Sequence, residues 1–224
     1  MRIRRIVGKT ALLSAIATLA FAQSSGNFSA RVNTTKCLID NIDGSLQGGI
    51  GATMMETTIK TPNSSQTALL IRPSLVSGLF TRTKVDETTT TSTAFAGLQV
   101  RVLLDGTVVA PGTPVGAVAG PNDGWVYFNK RWQQINQNFL GLIEACALNP
   151  LVNCSLDLIL STLSMNSGDF VVGNVGEGTH ALKVEWRFED SDGAGGNAAA
   201  CVGPATLTVT QVKTFSRSGG IEIQ

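Results

Sequence analysis

Along most of the chain, apolar and polar residues alternate with a period of two, as in a strand with one face in a core. The cleanest stretch is Leu182, Val184, Trp186 and Phe188, interleaved with Lys183, Glu185 and Arg187. The first set is expected to face inward and the second outward. Leu98, Val100, Val102 and Leu104 alternate with Gln99 and Arg101 and run into Asp105-Gly106, a two-residue hairpin signal. Further strands are expected over 52–61 and 67–72, on either side of the turn Pro62-Asn63-Ser64-Ser65, and over 79–85 after Ser77-Gly78. Others are expected over 124–129, from Leu156 through Leu160, over 169–172, and from Leu207 and Val209 toward Phe215. The threonine-rich tract 87–93 suits an edge strand or a long hairpin arm.

One segment breaks the alternation. Over 131–147, Trp132, Ile135, Phe139, Leu142, Ile143 and Cys146 fall at helical spacing, with Gln133, Gln134, Asn136, Gln137 and Asn138 on the other face. An amphipathic helix is expected there, ending near Pro150 and capping an open edge or end of the sheets. The fold expected is mostly β: a single jelly-roll-like antiparallel β-sandwich with this helix inserted near residues 131–147.

The first residues carry Arg2, Arg4, Arg5 and Lys9, then an apolar run from Ala11 that closes on Ala20-Phe21-Ala22. This is the pattern of a signal peptide over 1–22, leaving a β-sandwich domain over 23–224. Of 17 basic residues, those four lie in the signal, which leaves 13 against 16 acidic ones, a net charge of −3. Such a surface argues against nucleic acid and against anionic lipid. The expected location is secreted, periplasmic or at the cell surface, with no membrane contact after cleavage. Four cysteines in an exported chain suggest two disulfides. Cys146 with Cys154 closes a short loop, and Cys37 with Cys201 ties the start of the domain to a late strand.

Candidate chemistry is sparse. His180 is the one histidine, and no serine sits in a G-x-S-x-G turn, so no catalytic residues are assigned. Glu185 and Glu189 share the outward face of one strand about 13 Å apart, wider than the roughly 5–10 Å between glycosidase carboxyl groups. Asp190-Ser191-Asp192-Gly193 is the best metal candidate, with Asp190 and Asp192 as ligands to calcium, against the plainer reading of a glycine-rich hairpin loop. No other cofactor is indicated. Trp125, Tyr127, Phe128 and Trp132 form the densest aromatic cluster. Trp125 and Tyr127 share one face of their strand and Phe128 takes the other. The cluster is expected to pack beneath the helix; alternatively, Trp125, Tyr127 and Trp132 form a platform for a glycan.

The stretch Leu156-Asp157-Leu158-Ile159-Leu160-Ser161-Thr162-Leu163-Ser164-Met165-Asn166-Ser167, then Gly178-Thr179-His180-Ala181-Leu182-Lys183-Val184 and Val202-Gly203-Pro204-Ala205-Thr206-Leu207-Thr208-Val209, resembles a group of uncharacterised exported bacterial proteins. Gly168-Asp169 before Phe170 departs from their usual pattern. The resemblance implies a jelly-roll sandwich in which a Gly-x-His turn leads into a core strand, and it implies no activity. The sequence therefore points to an exported, non-catalytic β-sandwich acting in binding or surface assembly, its partner an extracellular glycan or protein. The alternatives are an extracellular glycan hydrolase and a calcium-dependent carbohydrate-binding module.

Overall fold

The computed structural model describes residues 27–37, 52–62, 67–86, 88–109, 124–138, 154–192, 196–217 and 220–223, with side chains omitted at 191–192 and 213–223. Eleven strands are present in these segments: β1 (Phe28–Asn33), β2 (Ala52–Thr61), β3 (Thr67–Val85), β4 (Thr91–Leu104), β5 (Thr107–Val109), β6 (Val126–Asn136), β7 (Leu156–Ser167), β8 (Phe170–Val172), β9 (Gly178–Asp192), β10 (Gly196–Arg217) and β11 (Gly220–Ile223). The first sheet has the order β1-β10-β3-β7, with β8 also on β3 and β11 also on β10. The second has the order β2-β9-β4-β5, with β6 also on β4. All pairings are antiparallel.

The long pairs nest. β4 pairs with β6, β3 with β7, β2 with β9 and β1 with β10, and successive pairs alternate between the two sheets. Among the described strands this is an antiparallel ribbon wound into a two-layer sandwich, an arrangement compatible with a jelly-roll-like fold. The core lies between the layers. Leu69, Ile71, Leu75 and Leu79 of β3 and Leu207 and Val209 of β10 face Leu98, Val100 and Val102 of β4 and Leu182 and Val184 of β9, all buried. Trp186 and Phe188 pack against the same cluster, so the inward set expected on β9 is found inward. The Asp105-Gly106 hairpin also forms, with φ of 49° and 79° at its two residues, the left-handed pair that a tight β4–β5 turn needs.

Several expectations need correction. β3 is one strand of 19 residues, running straight through Pro73 and Ser77-Gly78, where two strands were expected. Its core positions stay in phase across both, so the turn-like residues never gain a turn. Of the tract at 87–93, Thr91–Thr93 open β4 and pair with β6 alone, the pairing with β9 starting at Ala94, so this part is a strand arm open on one side. Residues 88–90 connect the sheets, with the Asp86 carboxylate accepting from Thr88 N–H, Thr88 Oγ1 and Thr89 N–H at 2.7–2.9 Å.

The helix expected over 131–147 is contradicted over its first part. Residues 131–136 belong to β6 and pair with Thr91–Ala96 of β4, followed by a short turn at Gln137-Asn138; the remainder, 139–147, lies outside the described residues. The cause is that β6 turns long polar side chains inward, which hides its period of two. Asn129 Nδ2 donates to Ser77 Oγ (3.0 Å) and Ser164 Oγ (2.9 Å). Arg131 donates to the Leu160 carbonyl at 2.9 Å, to the Leu79 carbonyl and to Thr162 Oγ1. Gln133, 6% exposed, accepts from Thr81 Oγ1 at 2.7 Å and donates to Thr83 Oγ1 and to the Leu158 carbonyl. These three side chains bridge from β6 to β3 and β7 and close that side of the sandwich with hydrogen bonds. On the opposite side, Ser29 with Thr57 (2.7 Å) and Asn33 with the Met54 carbonyl (3.0 Å) join β1 to β2.

Cys37 and Cys201 form a disulfide with Cα atoms 5.3 Å apart, as expected. Cys154 is also disulfide-bonded; Cys146, expected as its partner, lies outside the described residues. The expected signal peptide over 1–22 lies outside them as well. Among the described residues, no helix is long and apolar enough to cross a membrane.

Candidate functional site

The outer face of the second sheet carries most of the side chains singled out in the sequence. β4 contributes Phe95, Gly97, Gln99 and Arg101, alternating with buried Ala94, Ala96, Leu98 and Val100. β9 contributes Lys183, Glu185, Arg187 and Glu189, cross-strand from Leu103, Arg101, Gln99 and Gly97. β6 completes the face through an irregularity. Gln99 pairs with Tyr127 but Leu98 pairs with Asn129, so Phe128 is an extra residue in the ladder. Such a bulge shifts the alternation by one. Phe128 packs on the core, while Tyr127, Lys130 and Trp132 all stand on the outer face. In an unbroken strand, Tyr127 and Trp132, five residues apart, would point to opposite faces.

The result is an aromatic strip at the β6 edge. Trp132 is 61% exposed and lies opposite Phe95; Tyr127 is 40% exposed. Phe95 and Tyr127 meet edge to face with centroids 6.5 Å apart, and Lys130 Nζ stands 4.8 Å from the Tyr127 ring and 5.1 Å from that of Phe95. Gly97 makes the arrangement fit. A Cβ there would come within 2.8 Å of Tyr127 Cε1 and 2.9 Å of Phe95 Cζ. Trp125 belongs to the same face but is 6% exposed, because the guanidinium groups of Arg101 and Arg187 stand over its ring at 4.5 and 4.6 Å. Of the expected platform, then, Tyr127 and Trp132 are open to a ligand and Trp125 is covered.

The two glutamates of β9 are on this face, as expected, and each is held by neighbours. Glu185 accepts from Arg101 Nε at 2.7 Å and lies 3.1 Å from Lys183 Nζ. Burial pushes its carboxyl upward, but the bonds to Arg101 and Lys183 outweigh this and hold it below the ordinary range, so it stays ionised. Glu189 accepts from Gln99 Nε2 at 2.8 Å and from the Tyr127 hydroxyl. Burial and the Glu189 bond raise the Tyr127 hydroxyl, which keeps its proton. Arg187 donates to Gln99 Oε1 at 2.6 Å and so separates the two acids. An ionised Glu185 is no proton donor, and Glu189 is engaged by Gln99 and Tyr127 instead of facing Glu185.

Asp190 pairs with Ala96, whose side chain is buried, and so lies on the side of β9 opposite Glu189; it is exposed. Asp192 is the last residue of β9, and its side chain lies outside the described residues, as does the glycine-rich turn at 193–195. Among the described residues, no group of three or more His, Cys, Asp or Glu stands close enough to hold a metal ion. A separate groove of about 520 Å³ is lined by Arg31, Glu56, Thr57, Leu103 and Lys183, away from the aromatic strip.

His180 has partners that the sequence did not reveal. Its Nδ1 is 2.7 Å from Asp105 Oδ2 at the β4–β5 turn, and its Nε2 is 3.0 Å from both Thr61 Oγ1 and the Gly176 carbonyl. Asp105 Oδ1 also accepts the Ala181 N–H at 2.8 Å. An Asp–His–Thr row resembles a hydrolytic triad in outline. However, Thr61 is 1% exposed and its hydroxyl donates to the Gly176 carbonyl, so it faces no substrate. The row is a clasp joining the ends of β2, β4 and β9. The Asp105-Gly106 pair marked the turn in the sequence, but nothing local tied its carboxylate to His180.

Compared with known proteins, the chain matches no family model and no curated protein.

Proposed function

We propose that this chain is an exported, non-catalytic binding module whose ligand is a glycan docked on the aromatic strip of the second sheet. The observation that carries the reading is the Phe128 bulge, which sets Trp132 and Tyr127 on one exposed face beside Phe95 and Lys130. Flat C–H faces of sugar rings stack on such aromatic surfaces, and Lys130 offers a donor to ring hydroxyls or carboxylates. The neighbouring ion pairs support binding over hydrolysis, because Glu185 is committed to Arg101 and Lys183 and Glu189 to Tyr127 and Gln99.

A glycan array with neutral and acidic polysaccharides, run with and without calcium, tests this. Hits are then titrated against Trp132→Ala and Tyr127→Ala. The expected result is calcium-independent binding that weakens at least tenfold in Trp132→Ala with the fold intact. An array without hits, or hits indifferent to both substitutions, would remove the aromatic strip as the binding site. Binding that requires calcium and is lost in Asp190→Ala would favour the calcium-dependent module instead.

A further inference from the structure

The four long sheet edges are not alike. An exposed edge strand invites pairing with another chain, and proteins usually guard it with charge, proline, a bulge or short length. β1 is six residues long and carries Arg31. β2 carries Glu56 and Lys60 and has a register shift between Thr53 and Met55. β6 carries Lys130 and the Phe128 bulge. β7 has none of these guards. It runs for 12 residues without proline or lysine and pairs with β3 in unbroken register from Leu156↔Val85 to Ser167↔Ser74. Its one charge, Asp157, is consumed by Arg82 through two bonds of 3.0 Å and a third to the same carboxylate.

The edge is also apolar. On the outer side, Ile159, Leu163 and Met165 are 54%, 61% and 70% exposed; on the inner side, Leu158 and Leu160 are 38% and 43% exposed. Among the described residues, no strand lies on the far side of β7. We propose that β7 is the contact through which two copies of this chain associate, edge to edge and antiparallel, into one continuous sheet of order β1-β10-β3-β7-β7-β3-β10-β1.

The second copy is the occupant because the strand is complementary to itself. Residues opposite one another in a sheet share a face, so a two-fold axis must pass through a residue rather than between two. Axes at Ser161 and at Thr162 use almost the whole strand. The first sets Ile159 against Leu163 of the second copy, twice; the second sets Ile159 against Met165, twice. Neither places like charges together, since Asp157 is neutralised within its own sheet. A strand of this length spans about 40 Å, and a strip about 10 Å wide on each face is on the order of 800 Å² per copy, the size of a standard interface. This inference is independent of the glycan reading, which concerns the other sheet.

Sedimentation of the purified full chain over 1–200 µM, beside Leu163→Lys and Ile159→Lys, tests the proposal. Both side chains are more than half exposed, so the monomer should keep its fold, which circular dichroism checks. A dimer is expected, with its dissociation constant raised at least 100-fold by either lysine. Single cysteines at the axis give the geometry: directly opposed Cα atoms about 4.5–5.5 Å apart fit a disulfide. Ser161→Cys or Thr162→Cys should therefore form a covalent dimer under mild oxidation, and Thr206→Cys on β10 should not. A monomer at 200 µM, a dimer indifferent to both lysines, or no crosslink from either axis cysteine would overturn the proposal.

Discussion

Replacing His180 by glutamine should destabilise the protein at acid pH and matter progressively less as pH rises. The ring sits between two acceptors, Asp105 Oδ2 at 2.7 Å and the Gly176 carbonyl at 3.0 Å, so the doubly protonated form satisfies both. The Asp105 bond raises the imidazole pKa; burial lowers it; the Gly176 carbonyl and the Asp105 charge raise it again, and the net shift is upward from 6.5. For Asp105, burial acts upward, but the His180 and Ala181 bonds prevail and hold its carboxyl below 3.8. A raised folded-state pKa on a base means that its stabilisation is complete below 6.5 and is lost as pH climbs through the folded value. A lowered one on an acid means stabilisation present above 3.8 and lost below the folded value. The clasp is therefore strongest between those limits, near pH 5–6. A charge-assisted hydrogen bond contributes about 1.5–3 kcal/mol. The Asp105 side chain is 49% exposed, which argues for the lower end, about 1–1.5 kcal/mol after solvent screening. Urea unfolding of the wild-type and His180→Gln proteins at pH 5, 6, 7, 8 and 9 reads the difference directly. Asp105→Asn should remove the same pH-dependent increment, and the double variant should add little. A difference that stays constant from pH 5 to 9 would refute the charged clasp.

Other outcomes follow from single features. Cys37→Ser with Cys201→Ser, which opens a loop with a sequence separation of 164, should cost up to about 5 kcal/mol by chain entropy, measured by denaturant unfolding. Gln133→Leu fills the same space but leaves the Thr81 and Thr83 hydroxyls and the Leu158 carbonyl without their partner, and should cost about 1–3 kcal/mol in the same assay. Gly97→Val should displace the Tyr127 and Phe95 rings and weaken glycan binding, read by titration calorimetry, whereas Trp132→Ala should change stability by no more than about 0.5 kcal/mol. The Asp86 carboxyl, which accepts from Thr88 and Thr89, should titrate at about 2 by carbon NMR, loosening the β3–β4 connection only as pH falls through that value.

The sequence revealed those parts of the fold in which side-chain polarity reports burial. β9 and β4 were readable strand by strand because Leu182, Val184, Leu98 and Val100 face a dry core while Lys183, Arg187 and Arg101 face outward. β6 was not, because its interior positions are Asn129, Arg131 and Gln133. Their polar ends are satisfied by Ser, Thr and carbonyl groups from β3 and β7, partners more than twenty residues away and invisible to a local pattern. Trp132 and Ile135 then fell by coincidence at helical spacing, although one faces outward and the other is buried. Trp125, Tyr127 and Trp132 were identifiable, Phe95 on β4 was not singled out, and their common face depends on the bulge at Phe128, which leaves no compositional mark. His180 was readable as a residue and not as a clasp, since Asp105 lies 75 positions away and Thr61 lies 119 away.

The same three polar side chains explain how neighbouring edges of one sandwich come to have different uses. A two-sheet sandwich has two open sides, and each must be closed without joining its sheets into a barrel. Between β6 and β7 the closure is made by side chains from β6, with Arg131 and Gln133 reaching the Leu160 and Leu158 carbonyls. Those bonds fix β7 from inside, so the strand keeps a straight, unbroken register on β3 although little of its own surface is buried. An edge held this way is rigid and apolar at once, the state in which pairing with a second copy costs least ordering entropy. On the other sheet, the bulge that lets β6 direct Asn129 and Arg131 inward is also what brings Trp132 into line with Tyr127 on the outside. One irregularity in β6 thus closes the sandwich and builds the aromatic strip. Deleting Phe128 would leave Tyr127 and Trp132 four residues apart and on one face, so it should spare glycan binding and the β6–β7 bridge and cost stability only through the lost core contact, while Trp132→Ala should remove glycan binding alone.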